Sequence, residues 1–237
     1  MPGGTTRAWR TVLERIESDL LEGRLGPGDR LPGERDLATQ MGVGRSSVRE
    51  AIRVLESMGL LRTASGSGPN AGAIITATPE GGMATLMRLQ VAAKGFPFDE
   101  IVDTRVLLES AVVHRLATAD EPDLGPAEST LQAMRDAALT PEEFLALDAQ
   151  FHVWLAEASG NGVVASVMSG LRTAIESYAR AGAALVDDWP AMVENLQGEH
   201  ESILDAIRAG DPDLARTRVR DHIVGFYAAT HAAHPNH

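Results

Sequence analysis

Apolar residues recur at helical spacing along the first part of the chain. Val12, Ile16 and Leu20 share one face of a helix, and Val48 and Ile52 share a face of another. Apolar positions that recur every three to four residues predict amphipathic helices that bury one side. The pattern therefore predicts three helices in this part of the chain, at residues 9–21, 34–41 and 45–58.

The second and third of these helices are separated by a turn of three residues, Gly42-Val43-Gly44. Two helices joined by so short a turn are typical of the helix-turn-helix motif. Gly59 ends the third helix, and residues 60–77, "LLRTASGSGPNAGAIITA", hold two short strand-like runs around a loop of Gly, Ser, Asn and Pro. Residues 1–78 are thus predicted to form a winged helix-turn-helix domain.

The rest of the chain has helical periods and no strand-like alternation. Residues 140–143, "TPEE", are typical of a capping box, and Asp211 is a candidate cap after a glycine stop. We predict seven helices here, near 80–94, 98–119, 123–138, 141–158, 161–183, 189–209 and 212–231. The predicted fold is mainly α, with a linker and connecting helix at 79–95 and an all-α bundle at 96–237.

Composition excludes several classes of protein. There are no cysteines, which excludes disulfides, thiolate metal sites and thiol catalysis. No apolar run approaches the roughly 20 residues that a membrane span requires. The N-terminal residues lack the apolar segment of a signal peptide. We therefore expect a cytoplasmic protein with no membrane partner.

Charge is distributed unevenly in a chain whose net charge is −12. Residues 1–78 hold 10 arginines and 9 acidic residues, whereas residues 79–237 carry a net charge of −13. Arg45, Arg49 and Arg53 lie four residues apart, on one face of the third predicted helix. A solvated surface would also account for such a row, but it begins at a helix N-terminus, where recognition helices contact base edges.

The stretch "LPGERDLATQMGVGRSSVREAIRVLESMGLL" resembles the winged helix-turn-helix of GntR-family bacterial transcription regulators, over about residues 10–76. The resemblance implies contacts to double-stranded DNA by five residues: Arg35, Arg45, Ser47, Arg49 and Gly66. Arginines can bind guanine edges bidentately, while other groups hold phosphates. Two features depart from the family pattern: Gly44 stands where Ser or Thr is common, and the wing loop is long.

Polar residues interrupt the apolar faces of several helices in the C-terminal part. Asp148 and His152 lie one turn apart on one such face, and His200, His222 and Arg105 each interrupt another. A buried charge or imidazole is costly unless it is paired, so these groups are expected to meet. One carboxylate and three imidazoles suit a divalent transition metal such as Zn, Ni, Mn or Fe. The alternative is that each histidine is a satisfied core residue.

Three stretches, "DAQFHVWLAEASGN", "GEHESILDAIRAGD" and "VRDHI", resemble the ligand-binding FCD domain of the FadR subfamily. In the metal-bearing members an Asp and three His hold the ion, which implies Asp148, His152, His200 and His222 as ligands. "DTRVLLESA" resembles the first helix of that domain, which implies that Arg105 helps to bind an anionic effector. With a dication the four ligands leave one positive charge, and Arg105 adds another.

These observations predict a metabolite-responsive transcription regulator and not an enzyme. We expect it to act as a repressor, as a homodimer on a short inverted repeat, with a small organic acid as effector. Three alternatives remain open at this point. The ion could itself be the signal or be purely structural, the chain could be a metal-dependent hydrolase, or it could respond to acyl-CoA as metal-free relatives do.

Overall fold

A computed structural model describes residues 5–64, 72–76, 79–93, 95–183 and 186–231. Within these ranges the chain forms helices and one small antiparallel sheet, so the predicted mainly-α fold class is confirmed. The elements are α1 Thr5–Leu21, α2 Glu34–Met41, α3 Arg45–Ser57, β1 Leu61–Ala64, β2 Gly72–Ile75, α4 Pro79–Ala92, α5 Phe98–Ala117, α6 Gly125–Ala133, α7 Pro141–Ala158, α8 Gly162–Ala183, α9 Trp189–Arg208 and α10 Pro212–His231.

The chain divides into two compact units, with the boundary between Met83 and Ala84. This boundary lies inside α4, the helix that occupies most of the segment predicted as linker and connecting helix. In the described part of the chain, none of the helices combines the length and the apolar character needed to cross a bilayer.

The N-terminal unit is built from α1, α2, α3 and the β1–β2 hairpin around one apolar core. Val12 of α1 and Val48 of α3 are fully buried in that core. Gly42 ends α2 with a φ of 65°, a left-handed conformation that glycine adopts without a steric penalty. This turn lets α3 start three residues later, at Arg45, and places the helix-turn-helix where the sequence predicted it.

The two strands of the wing pair in a fixed register, with Leu61 opposite Ile75 and Arg62 opposite Ile74. Leu61 and Ile75 face the core of the unit, because they are 4% and 1% exposed. The loop that joins the strands, including Gly66, lies outside the described residues. The proposed DNA contact of Gly66 therefore stays a prediction.

The C-terminal unit is an all-α bundle in which α5 packs along α10 and α7 packs along α8. Its core contains the fully buried rings of Phe144 and Phe151, together with leucines, valines and isoleucines from five helices. The predicted capping box at the start of α7 is present, since Thr140 and Glu143 bond to each other's backbone N–H groups. Asp211 caps α10 by accepting a hydrogen bond from the backbone N–H of Leu214.

Substitution by alanine is expected to have opposite effects on stability at two helical glycines of this unit. A Cβ at Gly170 of α8 would lie 2.6 Å from Cβ of Met87 and 3.2 Å from backbone atoms of Ala84, so α4 would have to shift. A Cβ at Gly198 of α9 would meet nothing within 4 Å. We expect Gly170→Ala to lower the free energy of unfolding by about 1–3 kcal/mol.

The matched variant Gly198→Ala is expected to raise the free energy of unfolding by about 0.5–1 kcal/mol, because alanine is the better helix former. Urea denaturation followed by far-UV circular dichroism measures both variants against the unsubstituted protein. Equal stability of the two variants would contradict a close approach of α4 to α8 at Gly170.

Candidate metal centre and nucleic-acid interface

One carboxylate and three imidazoles from three helices meet inside the C-terminal unit. Asp148 and His152 come from α7, His200 from α9 and His222 from α10. One ligand atom from each lies within 4.8 Å of the others. All four side chains are buried, with exposed fractions between 0% and 7%. The structure thus brings together the complete set that the sequence indicated, and this cluster could hold a metal ion.

The geometry inside this cluster suits a bound cation better than a self-satisfied polar core. The Nε2 atoms of His152 and His222 lie 3.1 Å apart, and Nε2 of His200 lies 3.2 Å from Oδ1 of Asp148. Neither ring nitrogen of His200 has an aligned hydrogen-bond partner among the described residues, although both are buried. Buried polar atoms are normally satisfied. Imidazole and carboxylate donors bind a transition metal at about 2.0–2.2 Å, a distance that donors packed this closely can reach by small movements.

Two glutamates contact the outer nitrogens of the cluster. Oε2 of Glu199 lies 2.8 Å from Nδ1 of His222 and hydrogen-bonds to it. Oε2 of Glu109 lies 2.6 Å from Nδ1 of His152, an electrostatic contact without hydrogen-bond alignment. A carboxylate behind a metal-binding histidine fixes the ring and raises its basicity. Both glutamates therefore favour donation by the inner Nε2 atoms.

The protonation states at neutral pH are those that metal binding requires. Burial raises the pKa of Asp148, but the neighbouring histidines, His200 first among them, outweigh burial and hold that pKa well below its usual range. Burial and the nearby His222 lower the pKa of His200 to about 4, against the pull of Asp148. Burial also lowers the pKa of His152, although Glu109 opposes it. Asp148 is thus ionised while His152 and His200 are neutral, which leaves their lone pairs available.

Arg105 lies beside the cluster and lines a cavity that Asp148 and His222 also line. Its side chain is buried, its Nε donates to Oε1 of Glu109 at 2.7 Å, and its Nη2 has no hydrogen-bond partner among the described residues. Arg105, Asp148 and His222 line one cavity together with apolar side chains of α5, α8 and α10. A buried guanidinium with a free N–H at the wall of a cavity can bind an anion there.

Glu109 is a site residue that is not among those predicted from the sequence. It is 2% exposed and contacts both Arg105 and His152, so one carboxylate links the guanidinium to the histidine cluster. Burial raises its pKa, but Arg105 and His152 outweigh burial and bring the pKa to about 2. The sequence feature that could have indicated this role is the position of Glu109 four residues after Arg105, on the same face of α5.

The predicted DNA-contacting arginines lie on the surface of the N-terminal unit. Arg35, Arg45, Arg49 and Arg53 are all exposed, Arg35 on α2 and the others on α3. Arg49 forms a bidentate ion pair with Glu34, with 2.8 Å between Nη2 and Oε2. This pair joins the start of α2 to the first turns of α3.

Ser47 differs from the arginines, because it is buried and 3% exposed. It lies next to the fully buried Val48, on the side of α3 that packs against the rest of the unit. A hydroxyl in this place does not reach a base edge without movement of the helix. The DNA contact of Ser47 stays a prediction, and its burial counts against it.

Both units match known families. Residues 9–69 match the family described as bacterial regulatory proteins, gntR family, and residues 100–225 match the FCD domain. An Escherichia coli (strain K12) protein, whose name assigns it to regulation of the L-lactate dehydrogenase operon, is 31% identical over 219 residues, which cover 90% of this chain and 82% of that protein. The HTH-type transcriptional repressor NanR of Citrobacter rodentium is 31% identical over 233 residues, covering 93% of this chain and 84% of its own length.

A solved structure of a GntR protein has a similar fold. The GntR protein of Streptococcus agalactiae superposes with a TM-score of 0.61 at 27% identity, over 92% of this chain and 97% of that one. The matching families and named relatives are transcription regulators, which confirms the expectation that the chain is not an enzyme. The chain belongs to the GntR family of DNA-binding transcription regulators and carries the FCD effector domain that distinguishes the FadR subfamily.

Proposed function

We propose that this regulator is a repressor that binds a short inverted-repeat operator as a homodimer and is controlled by a small organic acid. The acid would be held in the FCD domain by a divalent metal and by Arg105. The observation that carries the proposal is the buried cluster of Asp148, His152, His200 and His222, because two of its members, Asp148 and His222, line one cavity together with Arg105. The relative NanR is named a transcriptional repressor, which supports repression and not activation as the mode of control.

Asp148, His152, His200 and His222 would hold the ion as one oxygen and three nitrogen donors. This donor set accepts Zn, Ni, Mn or Fe, and the metal available in the cell decides among them. When bound, the ion supplies positive charge and open coordination positions for a carboxylate oxygen. Glu109 and Glu199 keep His152 and His222 oriented for that purpose.

Arg105 would provide the second attachment for the acid. Its Nε is engaged by Glu109, whereas its buried Nη2 is available to an oxygen of the effector. Because the guanidinium is already fixed by Glu109, little conformational entropy is lost when the acid binds. The acid would then contact α5 through Arg105 as well as α7, α9 and α10 through the ligand set.

The N-terminal unit would bind the operator through α3. Arg45 and Arg49 lie near the N-terminus of that helix, the part that contacts base edges in helix-turn-helix proteins. Arg35 would contact phosphate, which fixes the register of the protein on the duplex. A homodimer would contact two half-sites related by the twofold symmetry of an inverted repeat.

Operator release tests this proposal. Genomic fragments selected on the immobilised protein in low salt provide the operator, and fluorescence anisotropy measures its affinity. The protein is compared after chelation, after reloading with each candidate metal, and after reloading in the presence of small carboxylic acids. We expect the metal-loaded protein to bind the operator and to lose affinity by at least about tenfold when an acid is added, a coupling of about 1.4 kcal/mol.

Other results of the same experiment would identify the alternatives. A change in operator affinity on metal addition alone, with no further effect of any acid, would show that the ion is the signal. Equal operator affinity with and without metal, together with loss of thermal stability on chelation, would show that the ion is structural. Either result would contradict control by an organic acid.

A further inference from the structure

The charges around the cavity point to an effector with a single negative charge. Arg105 is neutralised by Glu109, which lies 2.7 Å away and is as deeply buried. A dication would be half neutralised by Asp148, so one positive charge stays unbalanced at the cavity. Glu199 does not change this balance at the cavity, because it contacts the outer nitrogen of His222 and its side chain is 31% exposed to water. Sequence alone suggested two positive charges, since the neutralisation of Arg105 by Glu109 was not foreseen.

The remainder of the described cavity wall is mostly apolar, and its polar groups are the hydroxyls of Tyr227 and Thr230. Arg105 and Asp148 form its charged part and His222 lies beside them, and the other side chains that line it are Phe98, Ile101, Val102, Ile175, Ala179, Ile223, Phe226, Tyr227 and Thr230. The hydroxyl of Thr230 already donates to the backbone carbonyl of Phe226. The rings of Phe98 and Tyr227 pack against each other, with 5.2 Å between their centroids.

Such a wall discriminates against polar substituents. A second carboxylate would be removed from water without a second cation to pair with, and an unpaired buried charge is costly. The described wall offers the several hydroxyl groups of a sugar acid only the hydroxyls of Tyr227 and Thr230, so most of them would lie against isoleucine and phenylalanine side chains without hydrogen-bond partners, at a cost for each hydroxyl. Methyl and methylene groups would instead gain from burial.

The size of the cavity limits the length of the acid. It encloses about 30 Å³, room for two or three water molecules before any side chain moves. Phe226 and Tyr227 are half-buried, so their rings are the part of the wall that can move most readily to enlarge the space. A short carbon chain is therefore compatible with the cavity, and a long acyl chain or a bulky group is not.

We propose that the effector is a short monocarboxylate with an unsubstituted apolar body, and not a dicarboxylate or a sugar acid. This inference rests on the proposed function, because it assumes that an acid binds in this cavity. The carboxylate would lie between the metal-ligand cluster and Arg105, and the carbon chain would lie against Ile175, Ile223 and Phe226.

A series of acids with equal carbon number tests the inference. Isothermal titration calorimetry on the metal-loaded full chain compares butyrate with succinate, in which a carboxylate replaces the methyl group, and with 3,4-dihydroxybutyrate, in which two hydroxyls are added. We expect butyrate to bind at least about tenfold more tightly than either. From acetate through propionate to butyrate, affinity is expected to rise about fourfold for each methylene.

Phe226→Ala provides the variant and Val224→Ala the matched control on the same helix. Val224 is 39% exposed and does not line the cavity, so its truncation is expected to leave the affinity for butyrate unchanged. Phe226→Ala is expected to weaken butyrate binding about fivefold while changing acetate binding less than twofold. Equal effects of Phe226→Ala on acetate and butyrate would overturn the placement of the carbon chain.

The remaining outcomes separate this inference from the proposed function. Tighter binding of succinate or 3,4-dihydroxybutyrate than of butyrate, abolished by chelation, would overturn the inference and leave an acid-controlled regulator intact. Failure of all five acids to bind the metal-loaded protein would overturn acid control through this cavity, and this inference with it.

Discussion

We expect His200→Ala to weaken binding of a divalent transition metal by more than about 100-fold, since loss of an outer contact to a metal-binding histidine already costs about 10- to 100-fold. His200 is fully buried, and neither of its ring nitrogens has an aligned hydrogen-bond partner among the described residues. Its removal deletes one candidate donor, together with the 3.2 Å contact between its Nε2 and Oδ1 of Asp148. Metal content after dialysis, measured by plasma mass spectrometry, and competition with a chromogenic chelator give the change in affinity.

His114→Ala is the matched control for this variant. His114 lies on α5, is half-buried, and does not belong to the four-residue cluster. We expect it to bind metal like the unsubstituted protein. Added metal should also raise the thermal midpoint of the His114→Ala variant and not that of the His200→Ala variant. Unchanged metal affinity after His200→Ala would show that the cluster is not the metal site.

The second large effect is expected at the DNA interface. Arg45→Ala and Arg49→Ala should each weaken operator binding about 5- to 150-fold, the range for loss of a bidentate arginine–guanine contact. The same variants should weaken binding to an unrelated duplex much less, because nonspecific binding depends on phosphates. Fluorescence anisotropy at fixed salt, with the selected operator and with a scrambled duplex, measures both affinities.

Two controls accompany these arginine variants. Arg53→Ala removes the same charge one turn beyond Arg49 on α3 and is expected to weaken binding to both duplexes to the same modest extent, as loss of a phosphate contact would. Arg216→Ala removes the charge from α10, in the other compact unit, and should have no effect on operator affinity. Equal weakening of operator and scrambled duplex by Arg45→Ala and Arg49→Ala would contradict a role in reading bases.

The helices of this chain were predictable because periodicity and punctuation agree. The turn at Gly42, the capping box at Thr140 and the cap at Asp211 each lie where a change in apolar period also indicates a helix end. Local signals of this kind depend on residues within one turn of each other. They identify element boundaries without any knowledge of tertiary contacts.

The inward direction of the cluster was also predictable, since His200 and His222 interrupt apolar faces that must pack inside the bundle. The role of Glu109 was not predictable, because its partner His152 comes from another helix. Its pairing with Arg105 four residues away gave no signal of burial, since such pairs are also common on exposed helix surfaces. The burial of Ser47 was missed for a similar reason. A small hydroxyl at the start of a helix is compatible with either solvent or core, and tertiary packing decides.

The double contact of Glu109 has an evolutionary consequence. One carboxylate faces Arg105 with one oxygen and His152 with the other, at 2.7 Å and 2.6 Å. A substitution at any of these three positions changes the environment of the other two, so their effects are epistatic and do not add. Among related chains, positions 105, 109 and 152 are therefore expected to covary, and a lineage that changes its ligand chemistry would have to alter them as a set.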